Sequence, residues 1–274
     1  MAEGNVNTRP DATVADTEIL LANLEHRYAT DGQDVLALTG IDLAIRKGEF
    51  VVLLGPSGCG KTTMLRIMAG LIRPSSGVVR IGGRPLWNNN VRDDQAVKEL
   101  GVVFQDANLF PWMTIEDNIS LPLKLRNVPR PARHEKASRL AQLVGIGGFE
   151  KRWPRELSGG MRQRAAIARA LSLDPGILLM DEPFGALDAM TRDNMNVELQ
   201  RIWMATNCTI VLVTHSISEA VFLADRILLL SPRPGRMDTL LEVGFGRPRD
   251  LYVQGSAEFQ TIVAELRKRL DAMH

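Results

Sequence analysis

Gly55-Pro56-Ser57-Gly58-Cys59-Gly60-Lys61-Thr62, followed by Thr63, fits the pattern G-x-x-x-x-G-K-[ST]. It sits between an apolar run, EFVVLLG, and an amphipathic one, TTMLRIMAGLI, so it joins a buried strand to a helix. Glycines in that position let consecutive backbone N–H groups curl around phosphate oxygens, assisted by the positive end of the helix dipole. A lysine at the helix start reaches the terminal phosphates, and the next hydroxyl can join a magnesium shell. The chemistry on offer is capture of a nucleoside triphosphate.

A second constellation completes it. Ile177 to Met180 is an apolar run that ends in Asp181 and Glu182. An apolar strand ending in two acids brings both carboxylates to the carboxyl edge of a sheet, beside a phosphate loop. Asp181 is placed to hold magnesium, and Glu182 to polarise an attacking water. On its own the pair could be a solvated turn. With the loop upstream it reads as ATP hydrolysis with Mg2+ as cofactor.

Neither motif separates one class of phosphate-loop NTPase from another. Leu157 to Arg164, LSGGMRQR, leads into the helical run AAIARALS. Here the chain resembles the ATP-binding cassette family, the ATPases of ABC transporters, over nearly all of residues 19–240. Met161 stands where that family's signature most often has Gln. The resemblance implies that Ser158, Gly159 and Gly160 grip the γ-phosphate of an ATP held by the opposite subunit. It also implies a stacking role on adenine for Tyr28, for which a half-buried strand tyrosine is the plain alternative. Gln105, after LGVVF, matches the glutamine that joins magnesium and water to a helical subdomain. Ala186-Leu187-Asp188 matches the segment that crosses the dimer interface, and His215, ending TIVLVT, the switch histidine at the γ-phosphate.

The same resemblance implies a head-to-tail homodimer, or a pair of related cassettes, closing around two ATPs. Its partners would be integral membrane permease subunits and, indirectly, an extracytoplasmic substrate-binding protein. The stretches Leu109 to Leu123 (LFPWMTIEDNISLPL) and Ser231 to Arg236 (SPRPGR) resemble the nitrate, sulfonate, taurine and bicarbonate importers, a hint of small anionic cargo.

The elements that must position these residues are legible in outline. Short β-prone runs from Ile19 to Glu49, broken by DGQD and RKGE, predict antiparallel strands. Strand–loop–helix, then VVRIGG and LGVVFQ, open an α/β unit with a buried sheet. From Pro111 to Leu173 helical patterns dominate; the β/α alternation returns with ILLMDE, MNVELQRIW, TIVLVTH, ISEAVFLA and RILLLS. The expected architecture is α/β: a P-loop NTPase core with a mainly parallel sheet, an N-terminal antiparallel β subdomain and an inserted α-helical subdomain. The ATPase domain is expected over 19–250, with the helical insertion at about 106–172. A disordered lead-in is expected over 1–18, and a helical tail over 251–274 packed on its own domain through Phe259, Ile262, Val263, Leu266 and Leu270.

Composition narrows the function classes. The 274 residues carry 33 Lys and Arg against 32 Asp and Glu, net +1, which offers no broad field for a nucleic-acid backbone. The apolar runs fall far short of the roughly 20 residues of a membrane span, and the polar first residues do not read as a secretory signal. The expected location is cytoplasmic, peripheral on the inner face of the cell membrane. Two cysteines, Cys59 and Cys208, build neither a disulfide framework nor a metal-ligand spacing. Cys59, inside the phosphate loop, would be favoured as a thiolate if its sulfur were exposed at the helix start; an inert small residue facing the core is the equal alternative. The main competitor to an importer ATPase is a soluble cassette of repair or translation; the coiled coil of the first and the fused second cassette of the other are absent here. A metabolic kinase would have no use for the LSGG segment.

Overall fold

The computed structural model describes residues 16–30 and 33–273; all but the last three positions of the expected lead-in lie outside it. Two long strands open the chain, β1 (Thr17–Thr30) and β2 (Gln33–Arg46), followed by β3 (Phe50–Leu54), the phosphate loop and α1 (Lys61–Met68). Next come β4 (Ser76–Ile81), the short strands β5 (Arg84–Pro85), β6 (Trp87–Asn88) and β7 (Val91–Arg92), α2 (Asp94–Val97) and β8 (Leu100–Val103). Three helices follow with no strand between them: α3 (Ile115–Leu125), α4 (Arg130–Leu143) and α5 (Gly159–Leu171). The alternating part resumes with β9 (Ile177–Asp181), α6 (Ala189–Thr206), β10 (Thr209–Val213), α7 (Ile217–Leu223), β11 (Arg226–Leu230), β12 (Met237–Glu242) and α8 (Ala257–Asp271).

The central sheet has the order β12-β11-β3-β10-β9-β8 and is parallel except for the edge strand β12. A separate antiparallel sheet, β2-β1-β4-β5, covers one side. The side chains of β3 sort by the two-residue period of a strand: Phe50, Val52 and Leu54 join the core beneath α3–α8, while Val51 and Leu53 join the core shared with α1, β1 and β2. With both faces covered, β3, β9 and β10 are buried at every position, and near-continuous apolar runs are what such strands require.

Helix starts follow sequence chemistry. Thr114, Ser158, Asp188, Ser216 and Ser256 each accept a backbone N–H from the first turn of α3, α5, α6, α7 and α8 respectively. Helix α8 buries Phe259, Val263 and Leu266 in the core that contains Phe50, with Ile262 and Leu270 half-buried against it. The segment leading there is anchored by Arg249, 4% exposed, which donates to the carbonyls of Val221, Phe222 and Ala224 at the end of α7. Burial pushes that guanidinium down to about 10, and the orphan carbonyls of a helix end are what it satisfies. Among the described residues, no helix is long and apolar enough to cross a membrane.

Candidate functional site

Strand register alone brings the sequence-predicted residues together. Val213 of β10 lies opposite Leu53 of β3 on one side and Asp181 of β9 on the other. The residues just beyond that line are the phosphate loop, Glu182, and Thr214-His215, so three chain segments far apart in sequence leave the sheet at one edge. This is the carboxyl edge, where α/β folds bind ligands. Two hydrogen bonds hold the exits in step: Thr214 N–H to the Leu53 carbonyl at 3.2 Å and Glu182 N–H to the Val213 carbonyl at 3.0 Å.

Gly60 turns into α1 with φ +104°, and a Cβ there would meet Leu38 at 2.6 Å, so glycine is required twice over. Lys61 folds back over the loop, its Nζ donating to the Gly55 and Pro56 carbonyls at 2.8 and 3.0 Å. Thr62 Oγ1 donates to Asp181 Oδ1 at 2.9 Å. Asp181 is 8% exposed, and burial raises its carboxyl above the ordinary range against the opposing pull of the Thr62 hydroxyl and the Arg66 charge. A hydroxyl and a buried carboxylate side by side are hard oxygen donors. That set suits magnesium, which binds through one or two protein oxygens and otherwise through phosphate and water.

Beside this pair stands a second. His215 Nδ1 lies 3.2 Å from Glu182 Oε2, and Glu182 holds a left-handed backbone, φ +44°, rare for a residue with a side chain. Gln105 Nε2 and Glu182 Oε2 each lie 3.6 Å from where a Cβ would stand on Gly185, so Gln105 reaches the same spot from the end of β8. Tyr28 donates to or accepts from Thr63 Oγ1 at 3.0 Å and packs edge-on against His26, centroids 4.6 Å apart. Tyr28, Ser57, Gly58, Gly60, Lys61, Thr62, Thr63 and Glu182 line one cavity of about 260 Å3.

Other expected residues stand apart from it. Ser158 caps α5, its Oγ accepting from Met161 N–H at 3.3 Å, and with Gly159 it faces solvent. Asp188 caps α6, accepting from Thr191 N–H and Thr191 Oγ1 at 3.0 and 2.7 Å; those bonds hold its carboxyl below the usual range. Neither residue lines the cavity. For Cys59 the structure favours the core-facing alternative: its thiol is 1% exposed and packs against the Gly55 backbone, and burial raises it while the Lys61 charge pulls the other way.

Sequence reading missed two groups near the site. Arg233 lines the cavity beside Ala37; its segment SPRPGR carried a family hint but no chemistry. Glu219, 4% exposed on α7, has its carboxyl pushed up by burial, with Thr214, Arg192, His215 and Glu182 in its electrostatic surroundings. An acid four residues after His215, in the first turn of a helix that the sequence reads as largely apolar, was the available signal.

The family model described as ABC transporter matches residues 38–185. An uncharacterized ABC transporter ATP-binding protein of Methanocaldococcus jannaschii is 44% identical over 233 residues, covering 85% of each chain. The taurine import ATP-binding protein TauB of Escherichia coli is 44% identical over 227 residues, 83% of this chain and 86% of the relative. Among solved structures, the ATP-binding cassette MJ0796, dimeric in a post-hydrolysis state bound to ADP and Pi, superposes with a TM-score of 0.73 at 34% identity, covering 83% of this chain and all of that one. With its phosphate loop, acid pair and sheet edge so arranged, this chain belongs to the ABC transporter family, as one of its ATP-binding, ATP-hydrolysing cassettes.

Proposed function

We propose that this chain is the ATPase subunit of an importer for a small anion of the taurine or sulfonate kind, working as a head-to-tail pair of cassettes beneath separate permease subunits. The observation that carries the reading is that one cavity is lined by both Thr62, hydrogen-bonded to Asp181, and Glu182, paired with His215. The first is a seat for Mg2+ and the β/γ-phosphates; the second is a base with its orienter. The taurine import role of the 44% identical TauB relative supports the cargo class.

In this reading the loop N–H groups from Gly58 to Thr63 and the Lys61 ammonium bind the phosphates, Lys61 leaving the two carbonyls it holds in the free chain. Thr62, Asp181 and Gln105 are the residues that would hold magnesium, which would supply charge neutralisation on the phosphate oxygens. Glu182 orients the attacking water and accepts its proton, and His215 fixes the Glu182 oxygen that does so. Tyr28 gives the adenine a face. Ser158, Gly159 and Gly160 meet the γ-phosphate of a partner's ATP, and Ala186-Leu187-Asp188 lies at the contact. ATP then bridges two subunits, and its hydrolysis loosens them, a two-state device driven by ligand.

The permease contact is assigned to the segment after Gln105. Asn118, fully buried, accepts from Phe110 N–H at 2.7 Å and donates to the carbonyls of Phe110, Met113 and Thr114. That bracket spends the loop's inward polar groups on one side chain and leaves Phe110 and Trp112 outside, the latter 66% exposed. Paired aromatic rings, 5.3 Å apart and set in solvent, are typical anchors for a partner. The test is uptake of labelled taurine and related sulfonates by cells deleted for this chain. Wild type should restore uptake and Glu182→Gln should not; uptake that never depended on the chain would contradict the reading.

A further inference from the structure

The hairpin between β11 and β12 is pressed onto the phosphate loop. Gly235 donates to the Ala37 carbonyl at 2.9 Å and accepts from Thr39 N–H at 3.0 Å, which stitches the turn to β2. A Cβ on Gly235 would lie 2.1 Å from the Cys59 carbonyl, a contact only glycine tolerates. Within the turn, Ser231 N–H reaches the Arg236 carbonyl at 3.0 Å and Arg236 N–H reaches Ser231 Oγ at 3.1 Å. Arg233 rides on this clamped turn and lines the nucleotide cavity. Among the described residues it makes no ion pair and no side-chain hydrogen bond within the chain. The Arg233 side chain is exposed and uncommitted, whereas the half-buried or buried Arg226, Arg247 and Arg249 are tied to carboxylate or carbonyl partners.

A nucleoside triphosphate carries several negative charges, and beside the loop N–H groups and magnesium the cavity lining offers two cationic side chains, Lys61 and Arg233, against the one carboxylate of Glu182. We propose that Arg233 is a nucleotide-binding residue acting within its own chain, its guanidinium gripping the phosphate chain of the nucleotide that Gly55–Thr63 cradles. A rigid planar fork of N–H donors matches two oxygens of one phosphate side by side, a geometry that the single nitrogen of an ammonium does not preset. The clamp at Gly235 matters because it fixes the turn against the same loop whose N–H groups hold those phosphates, so less backbone freedom is lost on binding. Arg233 thereby makes the edge hairpin part of the nucleotide site.

This inference rests on the ATP-binding reading, and the experiment separates the two. Affinities of the purified full chain for ATP, ADP and adenosine are measured by displacement of a fluorescent adenine nucleotide, for wild type, Arg233→Met and Arg233→Lys, alongside melting temperatures without ligand. Methionine keeps the stem, so the free chain should melt within about 2 °C of wild type. ATP and ADP should bind Arg233→Met about tenfold more weakly, adenosine by less than about twofold, and Arg233→Lys should recover part of the loss. Unchanged ATP affinity in Arg233→Met overturns the proposal. So does an equal loss for adenosine, which would put the guanidinium on the base, or a loss that tracks a lowered melting temperature. A wild-type chain that binds no ATP defeats the nucleotide reading itself, and this proposal with it.

Discussion

Two helices of this molecule begin behind glycines, and they are built for different company. At the start of α1, Gly60 is wedged against Leu38, Lys61 is tied to two carbonyls, and Thr62 meets Asp181 from a strand 119 residues away. At the start of α5, Ser158 satisfies only its own helix, and a Cβ on Gly159 would find nothing nearer than Leu187 at 3.5 Å. Both starts present backbone N–H groups suited to an anion. The first has its catalytic acids and histidine in the same chain. The second has an exposed glycine, Gly159, that no contact among the described residues demands, while a Cβ on the buried Gly160 would press on Thr191 at 3.3 Å. A site split between two copies of the chain is the simplest arrangement that gives both starts a purpose.

The largest expected effect lies in the first region. Glu182→Gln should lower ATP hydrolysis about 10²- to 10⁴-fold while leaving ATP affinity near wild type, because Lys61, Thr62 and Asp181 keep their places. Steady-state phosphate release and nucleotide binding check it. Hydrolysis at the wild-type rate would remove Glu182 from the role given to it and leave the first region without its base.

A smaller effect is expected on the exposed aromatic pair ahead of α3. Trp112→Ala should weaken co-purification with the permease about tenfold or more, since an exposed aromatic anchor is the type of residue that dominates an interface. Its melting temperature should stay within about 2 °C of wild type, the ring being mostly in water. A large drop in melting temperature would place the ring in the fold instead, and normal assembly would make it idle surface.

The smallest effect sharpens the claim that the first region is complete in itself. The Glu219 carboxyl is held above its ordinary range by burial. With the folded value raised, no cost exists below the unfolded value near pH 4, where both states are protonated; the cost grows as pH rises above it. Glu219→Gln removes that cost, so at about pH 7 it should melt roughly 2 °C higher than wild type, with the gap closing toward pH 4. A variant that melts lower at neutral pH would mean that the carboxylate is a needed partner of Thr214 or Arg192.

What the sequence disclosed depended on how local the determinant was. The phosphate loop was readable because its glycines, lysine and threonine are consecutive and flanked by a strand and a helix; strand β9 and its acids were readable for the same reason. The match of Leu53, Val213 and Asp181 across three strands is a long-range register that no local pattern encodes. For Cys59 the sequence left two readings open, because a position within a loop does not say which way the side chain points; here it is buried. Arg233 was missed since its place depends on Gly235 meeting the Cys59 carbonyl, a contact between segments about 175 residues apart, beyond any local sequence pattern. Strand β12 escaped for a related reason: its alternation of half-buried and exposed residues is weak beside the fully buried strands it follows.

The split-site account turns on Gly159. Aspartate fits there in the isolated chain, with ordinary contact distances at its Cβ and a favourable place in the first turn of α5. It would, however, set a carboxylate against the γ-phosphate arriving from a partner. Size-exclusion chromatography of Glu182→Gln with ATP, compared with the double variant Glu182→Gln, Gly159→Asp, is therefore the most direct measurement. The account predicts that the single variant elutes as a dimer, while the double variant binds ATP with the same affinity and melts at the same temperature yet elutes as a monomer. A double variant that dimerises as readily as the single one, or that loses ATP binding as a monomer, would contradict it.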